Sequence, residues 1–271
     1  MKSAIGRSND FIVLRSKEKI LRSQFTDLEK YLGVSKKLED DLITAEEARM
    51  SGTCEWLLRK DTYMRWKNFT SDAPNILWVN GKPAAGKTVL VGYVVDQLQR
   101  ANLDCSYFFF KYSDKSKSRL GACLRSIAFQ MACSNAQVRE TLLEMQKDDI
   151  KFDEDDERTL WQKLFLSGIF KTEFLKHYWV IDGLDECMGS SPTFEAMLAM
   201  LDESIPLRIL ITSRETAELD KRFITLGTHR FQSDSISAAD TLPDIKLLVE
   251  AKAKSFLVKD DYYRSALVEK I

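Results

Sequence analysis

The chain has 271 residues, 44% of them hydrophobic and 30% charged, with five Trp and fifteen Phe. That is enough for one or two domains and a sizeable buried core. A net charge of −1 argues against a dedicated nucleic-acid or anionic-membrane surface. The five cysteines (Cys54, Cys105, Cys123, Cys133 and Cys187) are odd in number and form no C-x-x-C pair, so neither a disulfide framework nor a zinc site is expected.

The first residues, Met1 to Arg22, are charged throughout and lack the apolar core of roughly 7–15 residues that marks a secretory signal. No run approaches the ~20 apolar residues of a membrane span. A reduced, cytoplasmic setting follows, in which the sequon Asn68-Phe69-Thr70 stays bare.

In chain order, Ile20, Leu21, Phe25, Leu28, Tyr31 and Leu32 have helical spacing over 16–31, ended by Gly33. The charged stretch 35–50 reads as a linker or exposed helix. Short helices are predicted around Cys54–Arg59 and Thr62–Phe69, with Ser71-Asp72-Ala73-Pro74 as the break before a first strand, Ile76-Leu77-Trp78-Val79.

Residues 81–88, Gly-Lys-Pro-Ala-Ala-Gly-Lys-Thr, fit G-x-x-x-x-G-K-[ST] without a gap. A helical pattern follows at Val89, Leu90, Tyr93, Val94 and Leu98. Strand, loop and helix in that order make a phosphate cradle, in which main-chain N–H groups of the loop and helix start converge on an anion. Gly81, Pro83, Ala84, Ala85, Gly86, Lys87, Thr88 and Val89 are the candidate binding residues. Lys87 suits the β- and γ-phosphates, and Thr88 suits Mg²⁺. The pattern points to a bound nucleoside triphosphate.

Strand two is Cys105–Phe110, an apolar run suited to burial on both faces. Helices are predicted at 120–131, 137–146 and 158–174, with the acidic stretch Asp148–Glu157 as a solvated loop. Strand three, Tyr178-Trp179-Val180-Ile181, ends in Asp182-Gly183-Leu184-Asp185-Glu186. In a parallel sheet those carboxylates face the edge that carries the phosphate loop. Asp182 is the candidate metal carboxylate, while Asp185 and Glu186 are candidates to orient or deprotonate an attacking water.

A helix over 193–201 precedes strand four, Leu207–Ile211, which ends Thr212-Ser213-Arg214. The planar cation of Arg214 suits a sensor of the terminal phosphate. A fifth strand is predicted near Phe223–Leu226, and amphipathic helices fill 240–271. The two histidines, His177 and His229, have no triad partners, and His177 reads as a packing or capping residue. Alternating strands and helices predict an α/β fold with ligands beyond the carboxyl ends of the strands.

Three segments together resemble the NACHT branch of the signal-transducing P-loop ATPases, specifically the nephrocystin-3-like domain of filamentous fungi. They are Gly52-Thr53-Cys54-Glu55-Trp56-Leu57-Leu58, Trp78 through Thr88, and Val180 through Cys187; Leu210 through Arg214 also fits. The similarity runs over about residues 50–255. It implies a P-loop NTPase three-layer sandwich with a mostly parallel five-stranded sheet. The expected order is a helical N-terminal segment and linker over 1–50, the nucleotide-binding domain over 51–235, and the start of a C-terminal helical lid over 236–271.

By the same resemblance Thr53 lies against the adenine, and the ligands are ATP or ADP, with GTP as the alternative, together with Mg²⁺. Self-association or protein partners are implied through the NACHT module, with no nucleic acid and no membrane. The Gly183 that follows Asp182 implies slow turnover, because fast additional-strand ATPases usually carry a catalytic Glu there.

Two departures from the family pattern stand out. Ala84-Ala85 replaces the usual Gly-Ser or Gly-Cys, which is harmless if φ at 84 is negative and costly if it is positive. The chain stops at Ile271 inside a predicted helix, before any winged-helix or repeat segment, as expected of a truncated receptor module. The expected function is a nucleotide-binding switch with slow or absent hydrolysis. The rival readings are a small-molecule kinase, which needs an Arg-rich lid and an acceptor pocket where the basic region 111–125 reads as a loop and helix start, and a non-hydrolysing protein scaffold.

Overall fold

The computed structural model describes residues 2–34, 38–69, 74–152, 156–173, 176–188, 193–216, 219, 221, 223, 227 and 230–255. The chain divides into two compact units, Met1–Lys36 with Gly121–Phe174, and Lys37–Leu120 with Leu175–Ile271.

The first unit is helical. Helix α1 (Lys2–Leu32) stops at Gly33, whose φ of +64° is the left-handed conformation that closes a helix end, with Val34 N–H donating back to the Glu29 carbonyl at 3.1 Å. It packs on α6 (Ala136–Lys147), burying Leu28 and Leu32. Helix α5 (Leu120–Ser134) runs into α6, whose N-terminus is capped by the Asn135 side chain accepting from Val138 N–H at 3.0 Å. The predicted helix over 158–174 is broken up: α7 (Glu157–Leu160) passes into a wide π-turn at Trp161–Leu166 and a 3₁₀ turn at Ile169–Lys171. The break falls at Gly168, where a Cβ would sit 2.7 Å from the Leu164 carbonyl oxygen.

The second unit is α/β. Five parallel strands, β1 (Ile76–Asn80), β2 (Asp104–Phe109), β3 (His177–Asp182), β4 (Leu207–Ser213) and β5 (Phe231–Ser235), form one sheet in the order β2-β3-β4-β1-β5. Every residue of β1, β3 and β4 is buried, as their apolar runs require. β4 lies between β1 and β3, pairing Asn80 with Ser213 on one side and Ile181 with Ile211 on the other. That insertion brings the end of β4 between the phosphate loop and Asp182.

The fifth strand is at Phe231–Ser235, not at the predicted Phe223–Leu226. Phe223 is helical, residues 224–226 lie outside the described residues, and the Phe223 ring stacks between Trp78 and Phe231 at 5.2 and 5.1 Å.

Helix α4 (Lys87–Arg100) crosses the sheet after the loop, burying Leu90, Val91, Val94, Val95 and Leu98 against Leu77, Val79 and Val180. Helix α2 (Leu38–Ala48), in the charged stretch read as a linker or exposed helix, has one buried face. Leu42 and Ala45 pack against α4, and Gly92 makes the approach possible: a Cβ there would meet the Ala45 Cβ at 2.9 Å. Asp41, on the same face, is 5% exposed and paired with both Lys111 and Lys117. The short 3₁₀ helices Glu55–Arg59 and Leu184–Glu186, α3 (Asp61–Lys67), α8 (Thr193–Ala199) and α9 (Ala238–Ser255) also belong to this unit. None of the described helices is long and apolar enough to cross a membrane, and the five cysteines form no disulfide with one another.

Candidate functional site

The loop between β1 and α4 is built from alternating backbone hands. Ala84 (φ 61°) and Gly86 (φ 79°) are left-handed while Ala85 is not, the alternation that turns successive N–H groups to one side. The positive φ at Ala84 places its methyl group where L-residues are strained, so the sequence's departure from glycine carries a conformational cost. The Lys87 ammonium folds back over the loop, donating to the carbonyls of Gly81 (2.8 Å) and Lys82 (2.9 Å). Partial burial lowers its pKa, opposed by the nearby charges of Asp185 and Asp182. Gly81 is buried beneath the loop, its N–H donating to the Ser213 carbonyl at 3.2 Å, and it packs on Ile236.

Asp182 ends β3 with 5% exposure, and both of its oxygens are engaged. Thr88 Oγ1 donates to Oδ2 at 2.6 Å and Thr212 Oγ1 to Oδ1 at 2.5 Å. Burial raises the carboxyl pKa, and the hydroxyl bonds from Thr212 and Thr88 pull it back. Gly183 follows in the left-handed region (φ 71°), with its N–H on Thr212 Oγ1 at 3.2 Å, so the backbone itself favours glycine there.

The remaining acids face protein donors. Asp185 accepts from the Arg214 main-chain N–H (2.9 Å) and from its Nε (3.2 Å). Glu186 accepts from the Tyr112 N–H at 3.0 Å. The predicted sensor is thus paired with one of the predicted water-handling acids.

Residues Pro83 through Val89 line a cavity of about 300 Å³ together with Asp182, Gly183, Asp185, Glu186 and Arg214. All the candidate site residues except Gly81 and Thr53 therefore share one chamber. Thr53 lines an adjoining, mostly apolar cavity of about 230 Å³ that shares Ala84, Ala85, Gly86 and Val89 with the first. Its other walls include Trp56 and, from α9, Asp244, Ile245 and Leu248. A third cavity of about 330 Å³ lies beyond Thr88, Asp182 and Glu186, floored by Asp41 and Lys111. Sequence reasoning missed Thr212, Asp244 and Asp41. Thr212 had a signal, since it is the first polar residue at the end of an apolar strand; the other two are each one of several acids on an amphipathic helix.

No group of three or more His, Cys, Asp or Glu side chains gathers as a metal site among the described residues. The pairing of the Thr88 hydroxyl with the Asp182 carboxylate fits instead a small hard cation that keeps most of its ligands as water and phosphate oxygen.

The family model described as Nephrocystin 3, N-terminal, matches residues 52–214, more than half of the chain. A search of curated proteins finds similarity to the vegetative incompatibility protein HET-E-1 of Podospora anserina, 23% identical over 177 residues. The match takes in 63% of this chain and spans 13% of the length of that relative. Among solved structures, a chain from Drosophila ORC bound to poly(dA/dT) DNA and Cdc6 aligns over 93% of this chain and 42% of its own. The two chains are 10% identical, with a TM-score of 0.39.

Proposed function

The chain belongs to the nephrocystin 3 N-terminal family, and from that premise we propose that it is a nucleotide-binding signalling switch of the NACHT type, turning over slowly at most. The observation that carries the reading is the Thr88–Asp182 pair at the rim of the loop cavity, opening onto an apolar cavity of about 230 Å³. Phosphates take the loop N–H groups and the third N–H of the Lys87 ammonium. A purine, as in ATP or GTP, takes the apolar side beside Thr53. Thr88 and Asp182 would hold Mg²⁺, which would supply charge neutralisation to the phosphates.

Slow turnover is supported by the two acids turned to protein donors, Asp185 to Arg214 and Glu186 to Tyr112. A carboxylate that already accepts from such a donor is a weaker base toward water. The relative's printed name concerns vegetative incompatibility. We extend that role to this chain as a cytoplasmic module that passes its nucleotide state to protein partners or to other copies of itself.

The test is calorimetric titration of Mg²⁺-ATP and Mg²⁺-GTP into the wild type and Lys87→Ala. At least one nucleotide binds the wild type, and loss of the charge-assisted contact weakens it by about 1.5–3 kcal/mol. Absence of binding to the wild type overturns the reading.

A further inference from the structure

Resting on the nucleotide-binding reading, we infer that the ion pair between Asp41 of α2 and Lys111 positions Glu186. It holds the Tyr112 N–H on the Glu186 carboxylate and so keeps hydrolysis slow. After β2 the chain makes a turn that is braced from within. Lys111 N–H donates to the Lys117 carbonyl at 3.1 Å, Asp114 N–H to the Lys111 carbonyl at 3.1 Å, and Lys117 N–H to the Asp114 carbonyl at 2.8 Å. The Asp114 carboxylate closes the tip, accepting from Ser116 N–H at 2.9 Å. A turn bonded to itself in this way shifts as a unit, so whatever pins its ends sets where its outward N–H groups point.

It is pinned on two sides. On one, Lys111 Nζ lies 2.5 Å from Asp41 Oδ1, and Lys117 Nζ is paired with Asp41 Oδ2. On the other, it is strapped to the segment that ends β3 and follows it. Phe110 N–H donates to the Asp182 carbonyl (2.9 Å), Tyr112 N–H to Glu186 Oε2 (3.0 Å), and Met188 N–H to the Ser118 carbonyl (2.5 Å). Of these three straps, only the one from Tyr112 ends on an acidic side chain of the phosphate chamber. Asp41, Lys111 and Glu186 also share the walls of the third cavity with Thr88 and Asp182. At about 330 Å³ that space holds several waters, and a released Glu186 can turn into it.

The two lysines differ in what they can do. Lys117 and Asp41 are buried, whereas the Lys111 side chain is 47% exposed. Two ammonium groups drawn to one carboxylate repel each other, and the one in reach of water leaves at the smaller cost. Lys117 therefore fixes this corner of the fold, and Lys111 is the adjustable contact. Because Lys111 directly precedes Tyr112, its release takes the Tyr112 N–H off Glu186. A carboxylate freed of such a donor is a stronger base toward water. A displacement of α2 thus reaches the acid through Asp41.

Three variants separate positioning from structure. Lys111→Met removes the adjustable contact and keeps the buried pair. Lys111→Arg keeps a cation for Asp41. Lys115→Met removes the same charge from an exposed position on the same turn. Melting temperatures check folding, and amide hydrogen exchange on the nucleotide-free protein reads the Tyr112 N–H directly. Lys111→Met exchanges that proton roughly threefold faster or more, while Lys111→Arg and Lys115→Met match the wild type. Single-turnover hydrolysis, with whichever of Mg²⁺-ATP and Mg²⁺-GTP binds, rises about two- to tenfold in Lys111→Met, the range set by one ordinary hydrogen bond. Nucleotide affinity stays within about twofold, and Lys111→Arg keeps the wild-type rate. In a Glu186→Gln background Lys111→Met has no effect on the rate, because the base it would release is gone. Unchanged Tyr112 exchange in Lys111→Met, a rate that stays level or falls, or a rise that persists with Gln at 186 overturns this inference and leaves the nucleotide reading intact. Failure of every nucleotide to bind the wild type removes both.

Discussion

The Thr88 hydroxyl lies 2.6 Å from Asp182 Oδ2, joining two residues 94 positions apart through the insertion of β4 between their strands. A buried carboxylate is stabilised only while its donors are in place, and Thr88 is one of two. Thr88→Val should therefore cost about 1–3 kcal/mol of stability and also abolish Mg²⁺-dependent nucleotide binding. Denaturant unfolding together with titration checks both; a variant as stable as the wild type would mean the bond contributes nothing net.

Glu186 rests on the Tyr112 N–H, and Gln can accept the same bond while losing the basic charge. Glu186→Gln should keep nucleotide affinity within about twofold and lower single-turnover hydrolysis by roughly 10²-fold or more. Wild-type turnover near ~10 s⁻¹, an ordinary enzyme rate, would contradict the slow switch.

Ala84 is held at φ 61°. Relief of left-handed strain is worth about 1–2 kcal/mol, against about 0.5–1 kcal/mol for the extra freedom glycine has when unfolded. Ala84→Gly should thus stabilise the protein by up to about 1.5 kcal/mol, read as a melting point a few degrees higher.

His177, buried at the start of β3 and 2.9 Å from Ser106 Oγ, has its pKa lowered by desolvation to about 3 from an ordinary 6.5. The unfolded chain binds the extra proton first, so stability is flat above pH ~6.5 and falls as pH drops from there toward 3. The slope from this group is at most about 1.4 kcal/mol per pH unit. His177→Gln, which keeps a partner for Ser106, should flatten that limb of the stability curve measured by denaturant titration.

The elements readable in sequence are those whose environment is uniform. β1, β3 and β4 are covered on both faces, so each is an unbroken apolar run, and the loop and Asp182 follow directly from their ends. β5 failed because Phe231-Gln-Ser-Asp-Ser is a polar edge strand that is nowhere fully buried, while the ring of Phe223 marks a packing site and not a strand. Asp244 was illegible for a different reason. Its place in the cavity wall depends on α9 meeting a turn 190 positions earlier, and nothing local distinguishes it from the other acids of that helix.

The Asp41–Lys117 pair sets where the nucleotide-binding unit can be cut. The family match begins at residue 52, yet the side chain of Lys117 is 5% exposed and its partner carboxylate sits in α2, ahead of that point. A fragment started at the match boundary takes the Asp41 carboxylate away from that buried ammonium, a loss of about 3–5 kcal/mol. That is comparable to the whole stability of a marginal domain. A fragment begun ahead of Leu38 keeps the ion pair and the helix that covers Gly92, so the two fragments differ in whether they fold, not in which motifs they carry.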